Sequence, residues 1–241
     1  FINLQMLIGK HLGMKWIVNN LIEKQDPRTI KLYNEILDIV ENGDEYFDIK
    51  AIYKFFPARR KVGKRKDDFK IEILSDDLST VLETFDFPRQ KYGQYLSLND
   101  YVSPEGIDYI GFFVATAGEK SRLVSNELKE KGEFYKGHIV NSIGLELAEA
   151  TSEYIHKMMR QDVGIIDKNI SLNEILNAQY QGNRYSFGYP ACPDLSDQRK
   201  LFNLLKPERY GITLTEEFMM YPEATVSAIV FSQPFCKYFN M

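Results

Sequence analysis

The run from Gln181 to Asp194, QGNRYSFGYPACPD, sets one arginine beside glycine, aromatic side chains and two prolines. Arg184, Gly188, Tyr189 and Pro190 spell RxxxGYP. A guanidinium is a planar fork of donors that grips a carboxylate at two points, Gly188 admits backbone angles closed to other residues, and Pro190 and Pro193 stiffen the display. These are the parts of a binding loop. Arg184 reads as the ligand-gripping group or as a structural arginine bonding loop carbonyls. Tyr189 fills core beside Pro190 or offers a flat face to a purine ring or a sulfonium cation. The adjacent aromatics Tyr238 and Phe239 near the C-terminus carry the same two readings.

Other chemistries find less support. The sequence contains no glycine-rich dinucleotide fingerprint, P-loop, GxSxG or HExxH. Its histidines, His11, His138 and His156, read as surface or packing residues. Glu149 and Glu153 stand four apart in a helical pattern, so their carboxylates share a face that meets solvent, a ribose or a cation. Cys192 and Cys236 lack metal-ligand spacing and cannot form a disulfide scaffold, which points to a reducing cytoplasm and inert thiols.

These residues need elements to position them. With 241 residues and 44% hydrophobic content the chain has ample material for a buried core. A formal charge of -4 argues against general nucleic-acid binding. No apolar run approaches the roughly 20 residues that span a bilayer, and the opening FINLQMLIGK is not expected to be a targeting segment. Because the chain opens on Phe1, we expect residues upstream of it.

Asp26 and Pro27 announce a helix that stops at Gly43, and β patterns follow from Tyr46 to Phe56 and from Phe69 to Leu74. The basic cluster from Arg59 to Lys66 between them reads as a solvated connection or a patch for an acidic partner. A central strand is predicted near Ile107–Ala115, a helix over Glu119–Lys131, and a long helix over Glu133–Arg160. Ser171 and Glu174 form a capping box whose short helix, ending by Gly182, delivers the RxxxGYP loop. A helix over Ser196–Leu205 and strands around a Tyr221–Pro222 turn complete the chain. No linker or repeat divides it, so the pattern predicts a single α+β domain, 1–241, with a mainly antiparallel twisted sheet flanked by helices.

FFPAR near residue 55, DYIGFFVATAG, LAEATSEYIH, YQGNRYSFGYPACPD, LTEEFMMYPEATVSAIVFSQP and KYF stand in an order that resembles the activation domain of cobalamin-dependent methionine synthases along essentially the whole chain. The resemblance implies a helmet- or C-shaped domain that binds S-adenosylmethionine as cosubstrate and supports reductive remethylation of cob(II)alamin. Cobalamin would be carried by another domain or subunit, with a flavodoxin-type electron donor, and no nucleic acid or membrane would be involved. By matched position, Arg184, Gly188, Tyr189 and Pro190 of RxxxGYP, with Tyr238, Phe239 and Glu149, would meet the ligand, and no residue would act as a catalytic acid, base or metal ligand.

The family pattern is proline-rich where this chain has Tyr185, Ser186 and Phe187, and it differs at Leu195 and Gln233. The resemblance also implies an acidic ligand contact in an upstream segment. No DxHxxG cobalamin signature occurs, so the chain would be one component of a methyltransferase and would not complete its cycle alone. The competing reading is a non-catalytic module of the same fold that docks a separate corrinoid protein.

Overall fold

In the computed structural model, residues 1–62, 69–167 and 170–241 are described. Half of the basic cluster expected between Arg59 and Lys66, from Gly63 onward, lies outside them.

The N-terminal stretch, which carries no strong periodic signature, forms a π-helix at Gln5–His11 and a short helix α1 at Val18–Glu23. The Gln5 side chain joins the two by accepting from the Val18 amide at 2.9 Å. Helix α2, Pro27–Glu41, starts where the sequence predicts: Asp26 accepts from the Thr29 amide at 2.9 Å and Pro27 fills the first turn. Such a cap contributes about 1 kcal/mol. The helix ends two residues before the expected Gly43, which instead opens a 3-10 turn at Gly43–Glu45. Because the Tyr46 and Phe47 amides bond back to the Gly43 carbonyl, β1 begins only at Lys50 and runs to Val62. The strand expected from Tyr46 is therefore shifted toward the C-terminus.

Strands β2 (Phe69–Leu74), β3 (Val81–Phe85) and β4 (Asp108–Thr116) follow, then helices α3 (Lys120–Glu130) and α4 (Phe134–Asp162). Ser171 and Glu174 make the predicted capping box for α5 (Leu172–Leu176). That helix stops well short of Gly182, and a strand β5 at Asn183–Tyr185 stands where a loop was expected. After it come α6 (Gln198–Leu205), β6 (Thr213–Leu214), β7 (Met220–Tyr221) and β8 (Thr225–Phe231), with a cis peptide at Tyr221–Pro222.

The architecture is α+β, with a six-stranded sheet ordered β3-β2-β1-β4-β8-β5. The pairs β1–β2, β2–β3 and β5–β8 are antiparallel. Two compact units are formed, each from three separate stretches of chain: 1–51, 115–153 and 221–226 in the first, and 52–114, 154–220 and 227–241 in the second.

The first unit is a helical core in which Leu7, Ile8, Leu32, Ile36 and Ile39 pack with Ile139, Val140 and Ile143 of α4. The second is built on the sheet. Phe85 stacks on Phe87, Phe112 and Phe187 at centroid separations of 5.7, 5.5 and 5.9 Å, and Leu201, Phe202 and Leu205 of α6 join the same core.

Candidate functional site

Arg184 is held by a strand. In β5 it pairs with Val230 of β8, and its neighbour Tyr185 pairs with Ile229. Successive side chains of a strand point to opposite faces, so Tyr185 enters the core at 1% exposure while Arg184 takes the other side, half-buried. Gly182 makes this pairing possible: its φ is +82°, and a Cβ there would stand 2.9 Å from the Phe231 carbonyl oxygen.

Beyond the strand the chain closes into a compact turn. The Gly188 amide donates to the Cys192 carbonyl and the Cys192 amide donates to the Tyr189 carbonyl, each at 2.9 Å. Pro190 therefore occupies the second position of a four-residue turn, where its fixed φ costs nothing, and Gly188 precedes it at φ +87°. The Cys192 thiol is buried and donates to the Ser186 carbonyl; burial pushes its pKa up to about 12. It behaves as packing, not as a nucleophile.

Tyr185 and Phe187, which stand where the resembled family carries prolines, are core side chains at 1% and 5% exposure. Packing thus holds the segment that prolines would otherwise stiffen.

Around Arg184 lies a buried polar cluster. Its Nη1 donates to the Tyr180 hydroxyl at 3.0 Å and faces His156 Nδ1 at 3.4 Å. The His156 ring, fully buried on α4, meets Tyr180 edge-on at 5.2 Å. One turn further along, Arg160 is 1% exposed; its guanidinium stacks over the Tyr180 ring at 3.7 Å and pairs with Asp167 at 2.5 Å. Burial first, then the charges of Arg184 and Arg160, hold the His156 pKa well below its ordinary value. The imidazole is therefore neutral, and the Arg184 donor assigns its Nδ1 as acceptor, leaving the proton on Nε2. His156 Nε2 and Arg160 Nε and Nη1 make no hydrogen bond among the described residues. Buried donors left in this way each cost about 1–3 kcal/mol.

The C-terminal segment is fixed by two tyrosines. The hydroxyls of Tyr101 and Tyr185 donate to the Lys237 carbonyl at 3.1 and 2.7 Å. Burial drives the Tyr185 hydroxyl far above the ordinary phenol range, so it is always a donor here. This anchorage turns Tyr238 outward at 53% exposure, stacked on Tyr185 at 6.3 Å with the planes 7° apart. Phe239 turns inward at 7% exposure, edge-on to Tyr101 at 6.5 Å.

Of the residues singled out from sequence, the second unit contains Arg184, Gly188, exposed Tyr189, half-buried Pro190 and Tyr238, with Phe239 as part of its core. Glu149 is exposed on α4 within the first unit, where its charge helps to raise the buried Glu146 carboxyl. Sequence reasoning missed Tyr180, Arg160, Tyr101 and Tyr185, and gave His156 no role beside Arg184. The four-residue spacings Tyr180–Arg184 and His156–Arg160 are visible in the chain. Their convergence is a tertiary fact.

Residues 12–241 match the family described as vitamin B12 dependent methionine synthase, activation domain. The chain belongs to that family. Methionine synthase of Mycobacterium tuberculosis (strain ATCC 25618 / H37Rv) is 33% identical to this activation domain over 205 residues, covering 79% of the chain and 17% of that protein. The Mycobacterium leprae (strain TN) methionine synthase is 31% identical over 207 residues, with the same coverages. The chain thus spans about a sixth of the length of these curated relatives. Among solved structures, the MetH reactivation domain bound to AdoHcy superposes with a TM-score of 0.84 at 27% identity, over 95% of this chain and 74% of that one. Within the activation-domain family, RxxxGYP is here an edge strand running into a proline turn, with Arg184 on the strand and Tyr189 in the turn.

Proposed function

We propose that residues 1–241 act as one methionine synthase activation domain, which binds S-adenosylmethionine through the second unit and supports reductive remethylation of cob(II)alamin. The reading is carried by the likeness to a reactivation domain bound to AdoHcy, together with Arg184 standing half-buried in the same unit as two exposed tyrosines. The cobalamin belongs to another domain or subunit, the electron comes from a flavodoxin-type donor, and the setting is the cytoplasm. No helix among the described residues is long and apolar enough to cross a membrane.

The residues present suit a ligand with a carboxylate, a sulfonium and a purine. Arg184 supplies a fork of donors to the carboxylate. Tyr189 and Tyr238, at 58% and 53% exposure, supply flat electron-rich faces to the cation or the purine. Gly188 and Pro190 set the turn that displays Tyr189, and Phe239 anchors the segment that displays Tyr238. When bound, S-adenosylmethionine supplies an activated methyl group whose delivery to reduced cobalt transfers no proton. The chain is therefore required to orient and to exclude water, not to act as acid or base.

Calorimetric titration with S-adenosylmethionine tests this. Arg184→Ala is expected to weaken binding by tenfold or more, on the scale of a lost charge-assisted pair, and to abolish remethylation of a cobalamin-loaded partner. Absence of any binding heat in the wild-type chain, or equal affinity in the variant, contradicts it. Persistent partner docking without methylation would favour the non-catalytic module.

A further inference from the structure

We infer that Tyr180 is a positioning residue for Arg184, fixing the direction in which the guanidinium meets a ligand carboxylate. The inference rests on the proposal that Arg184 grips the carboxylate of S-adenosylmethionine, and it adds the device that aims the grip.

An arginine side chain has several rotatable bonds, and a site that depends on planar, two-point recognition needs them restricted. Here Arg184 Nη1 is committed to the Tyr180 hydroxyl at 3.0 Å, four residues back along the chain. The phenol is itself immobilised on two sides: the Arg160 guanidinium covers its ring face at 3.7 Å, and the His156 ring abuts it at 5.2 Å with the planes 80° apart. His156 Nδ1, 3.4 Å from the same Nη1, offers that nitrogen a second acceptor.

The support is costly to the fold. Arg160 is a guanidinium at 1% exposure with two nitrogens that make no hydrogen bond among the described residues, and His156 leaves one. A buried charge of this kind is usually no more stabilising than an apolar side chain of the same volume. Its planarity is what the cluster uses: a flat cation fits against a tyrosine ring, and Lys could not reproduce that contact. Burial first, and then the two guanidiniums, disfavour a third positive charge, which keeps His156 neutral and able to accept.

The test uses the complete chain and two probes, S-adenosylmethionine and its decarboxylated analogue, which lacks only the carboxylate. Wild type should prefer the first. Tyr180→Phe keeps the ring and its stacking but removes the hydroxyl; it is expected to weaken S-adenosylmethionine about five- to tenfold, leave the analogue within about twofold, and leave the melting temperature essentially unchanged. Arg160→Lys, which retains charge without the flat face, is expected to show the same selective loss and decides the matter if Tyr180→Phe folds poorly.

Equal weakening of both probes would mark a merely structural role and overturn the inference, as would unchanged affinity for S-adenosylmethionine. If wild type binds the two probes equally, Arg184 does not hold the carboxylate, and both readings fall.

Discussion

Tyr185 shows how one side chain serves packing and presentation together. Its ring is part of the aromatic core, stacked on Tyr101 at 6.1 Å and Tyr238 at 6.3 Å, while its hydroxyl reaches the Lys237 carbonyl. Removing the oxygen leaves the ring packing intact and takes away one of the two tyrosine donors to the Lys237 carbonyl. We predict that Tyr185→Phe lowers stability by about 1 kcal/mol and weakens S-adenosylmethionine binding several-fold through a less fixed Tyr238. Chemical denaturation and calorimetry check the two parts separately. A pronounced loss of stability without change in affinity would mean that Tyr238 needs no anchor. Tyr238 and Phe239, adjacent in sequence, meet opposite fates beside this anchor, one exposed and one buried.

At the scale of elements, the segment carrying Arg184 is an edge strand whose entry depends on Gly182. A Cβ at that position meets the Phe231 carbonyl oxygen at 2.9 Å and the Ser232 Cα at 3.3 Å, and the positive φ adds strain that only glycine avoids. Backbone cannot retreat as a flexible side chain can. Gly182→Ala is therefore expected to loosen β5 from β8, lowering stability by about 1–3 kcal/mol and weakening the ligand more than Arg184-remote substitutions do. Hydrogen exchange at Asn183–Tyr185 reads the first effect directly; unchanged protection there would refute it.

Gly182 was legible in the sequence only as a stop for the preceding helix. The N-cap at Asp26 and the capping box at Ser171 were legible because a cap is made by residues three apart and needs nothing else. A three-residue strand is too short to show a period, and its existence rests on β8, some 45 residues downstream.

For the whole molecule, two buried groups link stability to pH in opposite senses. Burial, reinforced by Glu149, raises the Glu146 carboxyl to about 7, and its oxygen lies 3.2 Å from His11 Nε2. The His11 pKa is itself lowered, by burial and then by the nearby Lys10 and His138. Below about pH 7 the Glu146 carboxyl therefore keeps its proton beside that imidazole. An acid with a raised folded-state pKa contributes stability that is complete below its unfolded value near 4.5 and is lost as pH rises through about 7. His156, held well below 6.5, acts the other way: the unfolded chain takes up its proton first, so stability falls as pH drops below that value.

Glu146→Gln removes the first effect alone. The variant should gain melting temperature relative to wild type at pH 8 and show little difference at pH 5. A difference that does not change across that interval would show that Glu146 titrates normally.

What the sequence determined by itself is the local and the compositional: the helix starts, the apolar run of the central strand, an α+β content, and the ordered motifs that mark the activation-domain family. These depend on neighbours within a few residues, or on matching position by position, and both survive without coordinates. The tertiary structure decided that the chain gathers into two compact units from interleaved stretches, since no composition shift marks a boundary that the chain passes repeatedly. It also decided what stands behind Arg184. Tyr180, His156 and Arg160 are ordinary residues until α4 and β5 bring them within hydrogen-bonding and stacking distance, because a side chain's charge state and direction are set by whatever surrounds it in space.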